Sequence, residues 1–144
     1  MNWKVEKGTE ADAGKIAEFQ IDMALESEGA ILDRDKILNG VRAGLSDPAK
    51  GTYYIVRTES GETAGSLLVT KEWSDWNNCW YWWIQSVFVK PEYRRQGAFS
   101  YLSTKRCAGM LLRKVLPVSG SMWIVAIGKL RNATRSREWT SAIT

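Results

Sequence analysis

Histidine is absent from this sequence, and cysteine occurs only twice, at Cys79 and Cys107. The absence of histidine argues against a zinc site and against a serine triad, because both normally depend on imidazole side chains. It also leaves neither cysteine with a histidine that could activate it as a nucleophile, and both thiols are expected to stay reduced in the cytoplasm. We therefore predict no metal site and no cysteine-based catalysis.

Long apolar runs are also missing. No stretch approaches the roughly 20 apolar residues that span a bilayer, and residues 1–6 lack the apolar core of a signal peptide. We therefore expect a cytoplasmic protein that does not associate with membranes. The length of 144 residues and the hydrophobic content of 44% suit one domain, residues 1–144, built around a single core.

Acidic side chains are scarce in the last third of the chain. Residues 1–89 carry 9 basic and 14 acidic side chains, whereas residues 90–144 carry 11 basic and 2 acidic ones. The net charge is therefore −5 for residues 1–89 and +9 for residues 90–144, and that of the whole chain is +4. The basic half can serve a polyanionic ligand or can form a solvated surface, and charge alone does not separate these interpretations.

Hydrophobic periodicity and turn residues predict the order β-α-α-β-β-β-α-β with a weak final helix. In chain order, the predicted elements are a strand at 3–7, a helix from Thr9 to near Gly29, a helix from Asp33 to before Pro48, strands at 52–58 and 63–70, a strand at 80–89, a helix from Phe99 to about Leu116, and a strand at 122–127.

The strand at 80–89 shows no clean alternation, which indicates burial on both faces. Strict alternation would place Trp83, Gln85 and Val87 on one face, and Ile84, Ser86 and Phe88 on the other. Gln85 is a polar residue in an apolar strand, so its amide is expected either to bind a neighbouring loop or to face a cavity.

A basic glycine turn follows this strand and precedes the next predicted helix. The start of a helix leaves about four main-chain N–H groups without partners and carries a partial positive charge. Gly97 allows the main chain to approach a phosphate closely, and Arg94 and Arg95 add positive charge. The arrangement therefore predicts an anion-binding site at this turn.

Three carboxylates are notable outside this turn. Glu26 and Glu28 lie near the end of the first predicted helix, where they oppose its dipole; they either serve a function or belong to a solvated loop. Asp75 lies in a loop at 73–78 that is rich in Trp, Asp and Asn. This loop is suited to ligand recognition, but it also fits a hairpin turn whose tryptophans cover the edge of the core.

The segment Arg94-Arg95-Gln96-Gly97-Ala98-Phe99 resembles the acetyl-CoA motif Q/R-x-x-G-x-G/A of the GNAT superfamily of N-acetyltransferases. Arg94 and Gly97 match the motif, whereas Phe99 departs from its last position. The sequence V-F-V-K-P-E-Y-R before the motif and the order of elements strengthen the resemblance, which covers about residues 1–116. It implies an α/β (α+β) fold with a mixed, mostly antiparallel sheet that is flanked by helices and splayed at the central strand.

The resemblance also implies a function, the transfer of an acetyl group from acetyl-CoA to a small or protein amine by direct attack. The amides of the turn would hold the pyrophosphate, and the central strand would pair with the pantetheine arm. Glu26, Glu28 and Asp75 are the candidates to bind the acceptor cation or to remove its proton. The implied cofactor-binding residues are Val87, Phe88, Val89, Arg94, Arg95, Gln96, Gly97, Ala98, Phe99 and Ser100.

Residues 117–144 depart from the family pattern. Many members carry there a tyrosine that protonates the departing thiolate, and this chain has none after Tyr101. We hypothesise that this segment is read in a shifted frame, because suitable codons for residues 133–144, read one base earlier, can spell Y-E-E-S-G-M-D-E-C-H-Y. Sequencing the gene tests this hypothesis. A sheet truncated in this way would expose an edge that can pair with a second copy as a homodimer.

Two alternatives follow from these departures. The chain can be a CoA-binding module with weak or no catalysis, which would bind CoA without releasing thiol. It can also be a nucleic-acid-binding protein that uses its basic half, which predicts an affinity that falls steeply with salt. We favour acetyl transfer over nucleic-acid binding because Arg94 and Arg95 already have a pyrophosphate to bind.

Overall fold

The structure, a computed structural model, describes residues 2–76, 78–99, 110–117 and 123–129. The elements are β1 (Lys4–Lys7), α1 (Ala13–Glu28), α2 (Arg34–Ser46), β2 (Thr52–Arg57), β3 (Thr63–Ser74), β4 (Cys79–Val89), β5 (Met110–Pro117) and β6 (Trp123–Lys129). One further helix, α3, begins at Ala98. The first six of these elements appear in the order that the sequence predicted.

The ends of the first two helices follow from their capping residues. The carboxylate of Asp12 accepts hydrogen bonds from the main-chain N–H of Thr9, at 2.9 Å, and from its hydroxyl, at 3.0 Å, just before α1 begins. Gly29 ends α1 in the left-handed conformation, with φ 63°. The side chain of Asp33 caps α2 by accepting hydrogen bonds from the main-chain N–H groups of Asp35 and Lys36. Both helix starts are therefore confirmed.

The described strands form one sheet with the order β1-β2-β3-β4-β6-β5, and every described pairing is antiparallel. This confirms the mostly antiparallel sheet. β6 pairs with β4 only along residues 82–84, although β4 continues to Val89. Within the described part of the chain, no strand lies beside residues 85–89 on that side, which is the opening that a splayed sheet provides.

The two faces of the sheet are buried by different elements. On one face, α1 and α2 cover the sheet, and Ile16 and Ile55 are fully buried between them. The other face buries Leu67 and Ile84 with Ala98 at the start of α3. Each large apolar side chain buried in this way stabilises the fold by about 1.5–3 kcal/mol. β4 buries Ile84 on one face and Phe88 on the other, so burial on both faces is confirmed for its second half, whereas Trp80 near its beginning is 51% exposed.

Arg57 on β2 joins three elements through its guanidinium. Its Nη2 lies 2.6 Å from Oδ1 of Asp12, its Nε lies 3.1 Å from Oε2 of Glu6, and its Nη1 donates to the hydroxyl of Thr63. Burial alone would raise the pKa of Asp12, but the hydrogen bonds from Thr9 and Arg57 outweigh it and lower that pKa. Asp12 therefore stays ionised beside Arg57.

One helix prediction was wrong. Residues 110–117, which were expected to complete the helix that begins near Phe99, form the strand β5, which pairs with β6. A short apolar run such as M-L-L-R-K-V-L-P fits a buried strand as well as a helix, so its periodicity does not decide between them. The preceding Gly109 also disfavours a continuous helix by about 1 kcal/mol. Residues 100–109 and 130–144 lie outside the described residues, as does the hypothesised frame-shifted ending.

The predicted face assignment of β4 was wrong beyond Gln85. Gln85 lies opposite Leu68, but Phe88 lies opposite Ser66, so β4 contains one extra residue between them. This is a β-bulge, and Ser86 adopts the left-handed conformation there, with φ 53°. The bulge places Phe88 on the same face as Gln85 and moves Val87 to the face that carries Ile84.

No helix among the described residues has the length and apolar character that crossing a membrane requires.

Candidate active site

The turn after β4 is held by a carboxylate from the hairpin between β2 and β3. Glu62 accepts a hydrogen bond from the hydroxyl of Tyr93 at 2.6 Å and forms an ion pair with Lys90. The main-chain N–H of Lys90 also donates to the carbonyl of Ala64, at 2.9 Å. These contacts fix the direction in which the chain leaves β4.

Trp3, next to β1, contacts the same turn from the other side. Its indole Nε1 donates to the carbonyl oxygen of Gln96 at 2.9 Å. Its ring meets the ring of Tyr93 edge-on, with centroids 5.8 Å apart. Trp3 is 6% exposed, so the hydrogen bond to the turn starts from a buried and well-packed side chain.

Arg94 makes the most contacts of any side chain in the turn. Its two terminal nitrogens form a bidentate ion pair with Glu26, with Nη2 2.7 Å from Oε2, and its Nε donates to the carbonyl of Val89 at 2.8 Å. Its guanidinium lies 5.5 Å from the ring centre of Phe88, which itself stacks on Phe19 at 5.1 Å. Arg94 therefore connects α1, β4 and the turn.

This ion pair changes the predicted role of Glu26. The hydrogen bond from Arg94 lowers the pKa of Glu26, and the same contact raises the pKa of Arg94. A carboxylate with a lowered pKa is a weaker base, and both of its oxygens are already occupied by the guanidinium. The geometry suits Glu26 to positioning Arg94.

The residues of the turn after Arg94 have a conformation and free polar groups that can bind an anion. Arg95 adopts the left-handed conformation, with φ 59°, and Gly97 does so with φ 82°. A Cβ built on Gly97 would meet no atom within 4 Å, so the space beside this residue is open. Among the described residues, no hydrogen bond of ordinary geometry joins the side chain of Arg95 or the main-chain amides of residues 95–97 to another group. These groups fit a diphosphate.

The residues predicted to hold the cofactor occupy two adjoining places. Val87 and Val89 are half-buried and pack on the core cluster beneath α3, whereas Phe88 points to the face covered by α1. Gln96, Ala98 and Phe99 continue from the turn into α3. Ser100 lies outside the described residues.

Glu28 and Asp75 lie in different parts of the molecule. Glu28 is the exposed last residue of α1, one helical half-turn beyond Glu26. Asp75 is exposed in the turn between β3 and β4. At about 3.3 Å a residue, the length of β4 separates Asp75 from the Arg94 turn by roughly 30 Å. The structure does not bring these two carboxylates together.

A row of polar contacts crosses β3 and β4 on the face that carries Gln85. The amide nitrogen of Gln85 donates to the hydroxyl of Thr70 at 2.8 Å, so Gln85 bonds to the neighbouring strand and not to a loop. Farther along, the indole nitrogen of Trp83 donates to Oε2 of Glu72 at 2.8 Å. These contacts place the exposed carboxylate of Glu72 on the sheet surface beside Trp83, toward the hairpin end of β4.

The sequence interpretation missed Trp3, Glu62 and Glu72. The first two act on the turn across sequence separations of 93 and 31 residues, and no local pattern signals contacts of that range. For Glu72, alternation along the strand could have placed its side chain on the face of Thr70. Within the described part of the chain, no group of Cys, Asp or Glu side chains is arranged to hold a metal ion.

Comparisons with known proteins identify the family and the fold. The model of the acetyltransferase (GNAT) family matches residues 16–105. A possible acetyltransferase from Clostridium difficile 630 has a similar structure, with a TM-score of 0.65 and 39% identity. That match covers 71% of this chain and 66% of the other, so this chain spans slightly less than two thirds of that protein.

Two more distant structures share the fold. A ribosomal-protein-alanine N-acetyltransferase from Brucella melitensis biovar Abortus 2308 has a TM-score of 0.57 at 14% identity, over 71% of this chain and 66% of that one. A predicted acetyltransferase with acetyl-CoA from Clostridium acetobutylicum has a TM-score of 0.59 at 11% identity, over 74% and 71%. No curated protein matches the chain.

Proposed function

This chain belongs to the acetyltransferase (GNAT) family, and we propose that it transfers an acetyl group from acetyl-CoA to a primary amine. The observation that carries this proposal is the turn after β4, where the amides of residues 95–97 make no hydrogen bond of ordinary geometry to the described residues and lie beside the open space at Gly97. A diphosphate is the group that such a turn fits best, together with the guanidinium of Arg95, which forms no ion pair among the described residues.

The β-bulge at Ser86 supports the position of the reaction. Ser86 and Val87 have no register partner on β3, and the pairing of β4 with β6 has already ended at Ile84. The main chain at this point can therefore accept an extended pantetheine arm in place of a neighbouring strand. A main-chain N–H there would polarise the thioester carbonyl.

Acetyl-CoA supplies the acetyl group as a thioester. In the proposed reaction, the neutral amine nitrogen forms a bond to the acetyl carbon while the carbon–sulfur bond breaks. The proton that the nitrogen loses balances the proton that the departing thiolate gains. The protein contributes the held diphosphate, the polarised carbonyl and a group that accepts the amine proton.

The three candidate carboxylates take different roles in this proposal. Glu26 is a positioning residue, because it holds Arg94 against the turn. Glu28 is exposed, its side chain forms no hydrogen bond or ion pair among the described residues, and it remains the proposed proton acceptor, directly or through water. We expect Glu28→Gln to lower kcat without changing the Kd for acetyl-CoA. Asp75 lies too far along β4 to share this site.

The alternative function is a CoA-binding module with little turnover. It is favoured by one specific feature, the absence of any tyrosine after Tyr101 to protonate the departing thiolate. Binding and turnover must therefore be measured separately, because the two functions differ only in turnover.

The decisive experiment combines calorimetric titration with acetyl-CoA and a thiol-release assay with primary amines. Acetyl transfer predicts saturable binding and amine-dependent release of CoA thiol. Binding without thiol release would support the CoA-binding module. The absence of binding would contradict both functions.

A further inference from the structure

The peptide unit between Gln96 and Gly97 connects the buried core with the open side of the turn after β4. Its carbonyl oxygen accepts the hydrogen bond from the indole Nε1 of Trp3 at 2.9 Å. This peptide bond is trans, so its C=O and its N–H point in opposite directions. The N–H of Gly97 is therefore directed away from Trp3, and it makes no hydrogen bond of ordinary geometry to the described residues.

The same peptide unit has a second orientation that glycine permits. Rotation of a peptide plane by half a turn exchanges the directions of its C=O and N–H and changes φ of the residue that follows. Gly97 has a φ of 82°, and glycine adopts positive and negative φ about equally readily. Gly97 alone therefore does not decide which way its N–H points. The hydrogen bond from Trp3 exists in only one of the two orientations and selects it.

The indole of Trp3 is itself held in place. It is 6% exposed, and its ring meets the ring of Tyr93 edge-on, with centroids 5.8 Å apart. The hydroxyl of Tyr93 donates in turn to Glu62 at 2.6 Å. The side chain of Gln96 bonds separately to the carbonyl of Glu92, at 2.7 Å, and leaves its main-chain carbonyl to the indole. A fixed donor thus meets a peptide unit that is otherwise free to turn.

We propose that Trp3 is a positioning residue for the diphosphate, and that it acts through the Gln96–Gly97 peptide unit by directing the N–H of Gly97 toward the ligand. This inference rests on the proposed function of the same turn. The hydrogen bond to the carbonyl also polarises the peptide unit and makes its N–H a stronger donor. Trp3 contributes in this way to cofactor affinity and takes no part in the transfer of the acetyl group.

Two substitutions of Trp3 separate the hydrogen bond from the buried volume. Trp3→Phe keeps a six-membered ring but has no donor. Trp3→His keeps less volume, but a turned-over imidazole can place its Nε2–H where the indole N–H lies, and the ring is neutral at pH 8. We expect Trp3→Phe to raise the Kd for CoA about fivefold and Trp3→His to raise it less than about twofold. The melting temperatures should follow the opposite order, because the histidine variant loses more buried volume.

The amide resonance of Gly97 reports the orientation of the peptide unit in the 15N-labelled full chain without ligand. It is the glycine resonance that disappears in Gly97→Ala. We expect it to move in Trp3→Phe and to stay near its original position in Trp3→His. Val56→Ala is the control for stability, because Val56 is fully buried in the same core cluster as Trp3. This control should lower the melting temperature and leave the Kd and the Gly97 resonance unchanged.

Binding and thiol release together distinguish this inference from the proposed function. Thiol release by Trp3→Phe at an unchanged Kd for CoA would retain acetyl transfer and overturn the positioning role. A Kd that rises in the order of lost stability, with Trp3→His weaker than Trp3→Phe, would also overturn it. An affinity that falls in Trp3→Phe and is kept in Trp3→His would support the inference even if no amine were acetylated.

Discussion

The two ends of β4 differ in how their charges are arranged. At the Val89 end, carboxylates are paired with cations in three places, at Glu26 with Arg94, Glu62 with Lys90, and Asp12 with Arg57. At the hairpin end, before Cys79, Glu72 and Asp75 form no ion pair among the described residues. In the proposed function, the paired end holds main-chain groups in place for a diphosphate, whereas Glu72 and Asp75 at the hairpin end are exposed to solvent.

Aromatic side chains show the same difference. At the Val89 end, Trp3 and Phe88 are 6% exposed and pack between elements. At the hairpin end, Trp73, Trp76 and Trp80 are 49%, 94% and 51% exposed, although Trp73 and Trp80 touch each other edge-on at 5.3 Å. The proposed anion site needs a fixed main chain, and the buried aromatic side chains at the Val89 end help to fix it.

If the two ends of β4 differ in this way, the substitution with the largest effect on acetyl-CoA binding should be at Gly97. Gly97→Glu should weaken acetyl-CoA binding by about 3 kcal/mol, or roughly 100-fold, because a carboxylate would lie beside the diphosphate. Calorimetric titration measures this loss. Gly61→Glu is a matched control, because Gly61 also has a positive φ, 87° against 82°, and also has no atom within 4 Å of a built Cβ.

Both glutamate variants carry a similar backbone cost of about 1 kcal/mol. Only the variant at Gly97 should lose acetyl-CoA. Retained binding in Gly97→Glu would remove the proposed diphosphate site, and an equal loss in Gly61→Glu would show that the effect is a general destabilisation.

The second prediction concerns the paired charges at the Val89 end. Asp12→Asn should lower the free energy of unfolding by about 2 kcal/mol, because it leaves the partly buried Arg57 with one fewer anionic partner. Urea unfolding measures this difference. Glu10→Gln, in an exposed ion pair with Arg42, should cost less than about 0.5 kcal/mol.

The effect of Asp12→Asn should depend on pH. The pKa of Asp12 is lowered below its ordinary value of 3.8, so its contribution to stability is complete above that pH. The contribution is lost as the pH falls through the lowered pKa, because both the folded and the unfolded chains are then protonated. The difference between the unchanged protein and the variant should therefore close in strong acid, and a constant difference down to pH ~2 would contradict this assignment.

The sequence separation of the contacting residues decides which parts of the fold the sequence could predict. Thr9, Asp33 and Gly29 act through neighbours within a few residues, so local patterns identified both helices and their ends. The pairing of Arg94 with Glu26 spans 68 residues and depends on how α1 packs on the sheet. The sequence could not show this contact, and Glu26 was therefore predicted as a catalytic candidate from its sequence position alone.

The remaining differences have similar causes. The bulge at Ser86 places a non-glycine residue at a positive φ, which no glycine or asparagine signalled in the sequence. The strand at Met110 follows from pairing with β6, a tertiary contact that overrides an ambiguous apolar pattern. The Arg94–Gly97 turn was predictable because its strand, basic glycine segment and helix are contiguous in the sequence, whereas the contacts that hold it, from Trp3, Glu26 and Glu62, were not.

A smaller effect is expected at Arg95, the arginine of the turn that has no described partner. Arg95→Gly should weaken acetyl-CoA binding about tenfold by removing one charge-assisted contact. The same substitution should leave the melting temperature unchanged or slightly higher, because glycine adopts a φ of 59° without steric cost. Titration and thermal unfolding of the same sample measure both effects.

Arg94→Lys is the matched comparison for Arg95→Gly. It should lower the melting temperature, because lysine cannot form the bidentate contact with Glu26 and also reach the carbonyl of Val89. If Arg95→Gly kept full affinity while Arg94→Lys lost it without losing stability, the assigned roles of the two arginines would be reversed.

The smallest effect is expected at Trp76, in the hairpin at the other end of β4. Trp76→Ala should change the free energy of unfolding by less than about 0.5 kcal/mol, because the side chain is 94% exposed and buries little apolar surface. It should also leave the Kd for acetyl-CoA unchanged, since β4 separates it from the Gly97 turn by roughly 30 Å. Trp3→Phe, which removes the donor to Gln96 and part of the buried volume of the indole, should lower both stability and affinity. Equal effects of the two substitutions would contradict the difference between the two ends, because a tryptophan at the hairpin would then support the fold as strongly as one that holds the turn.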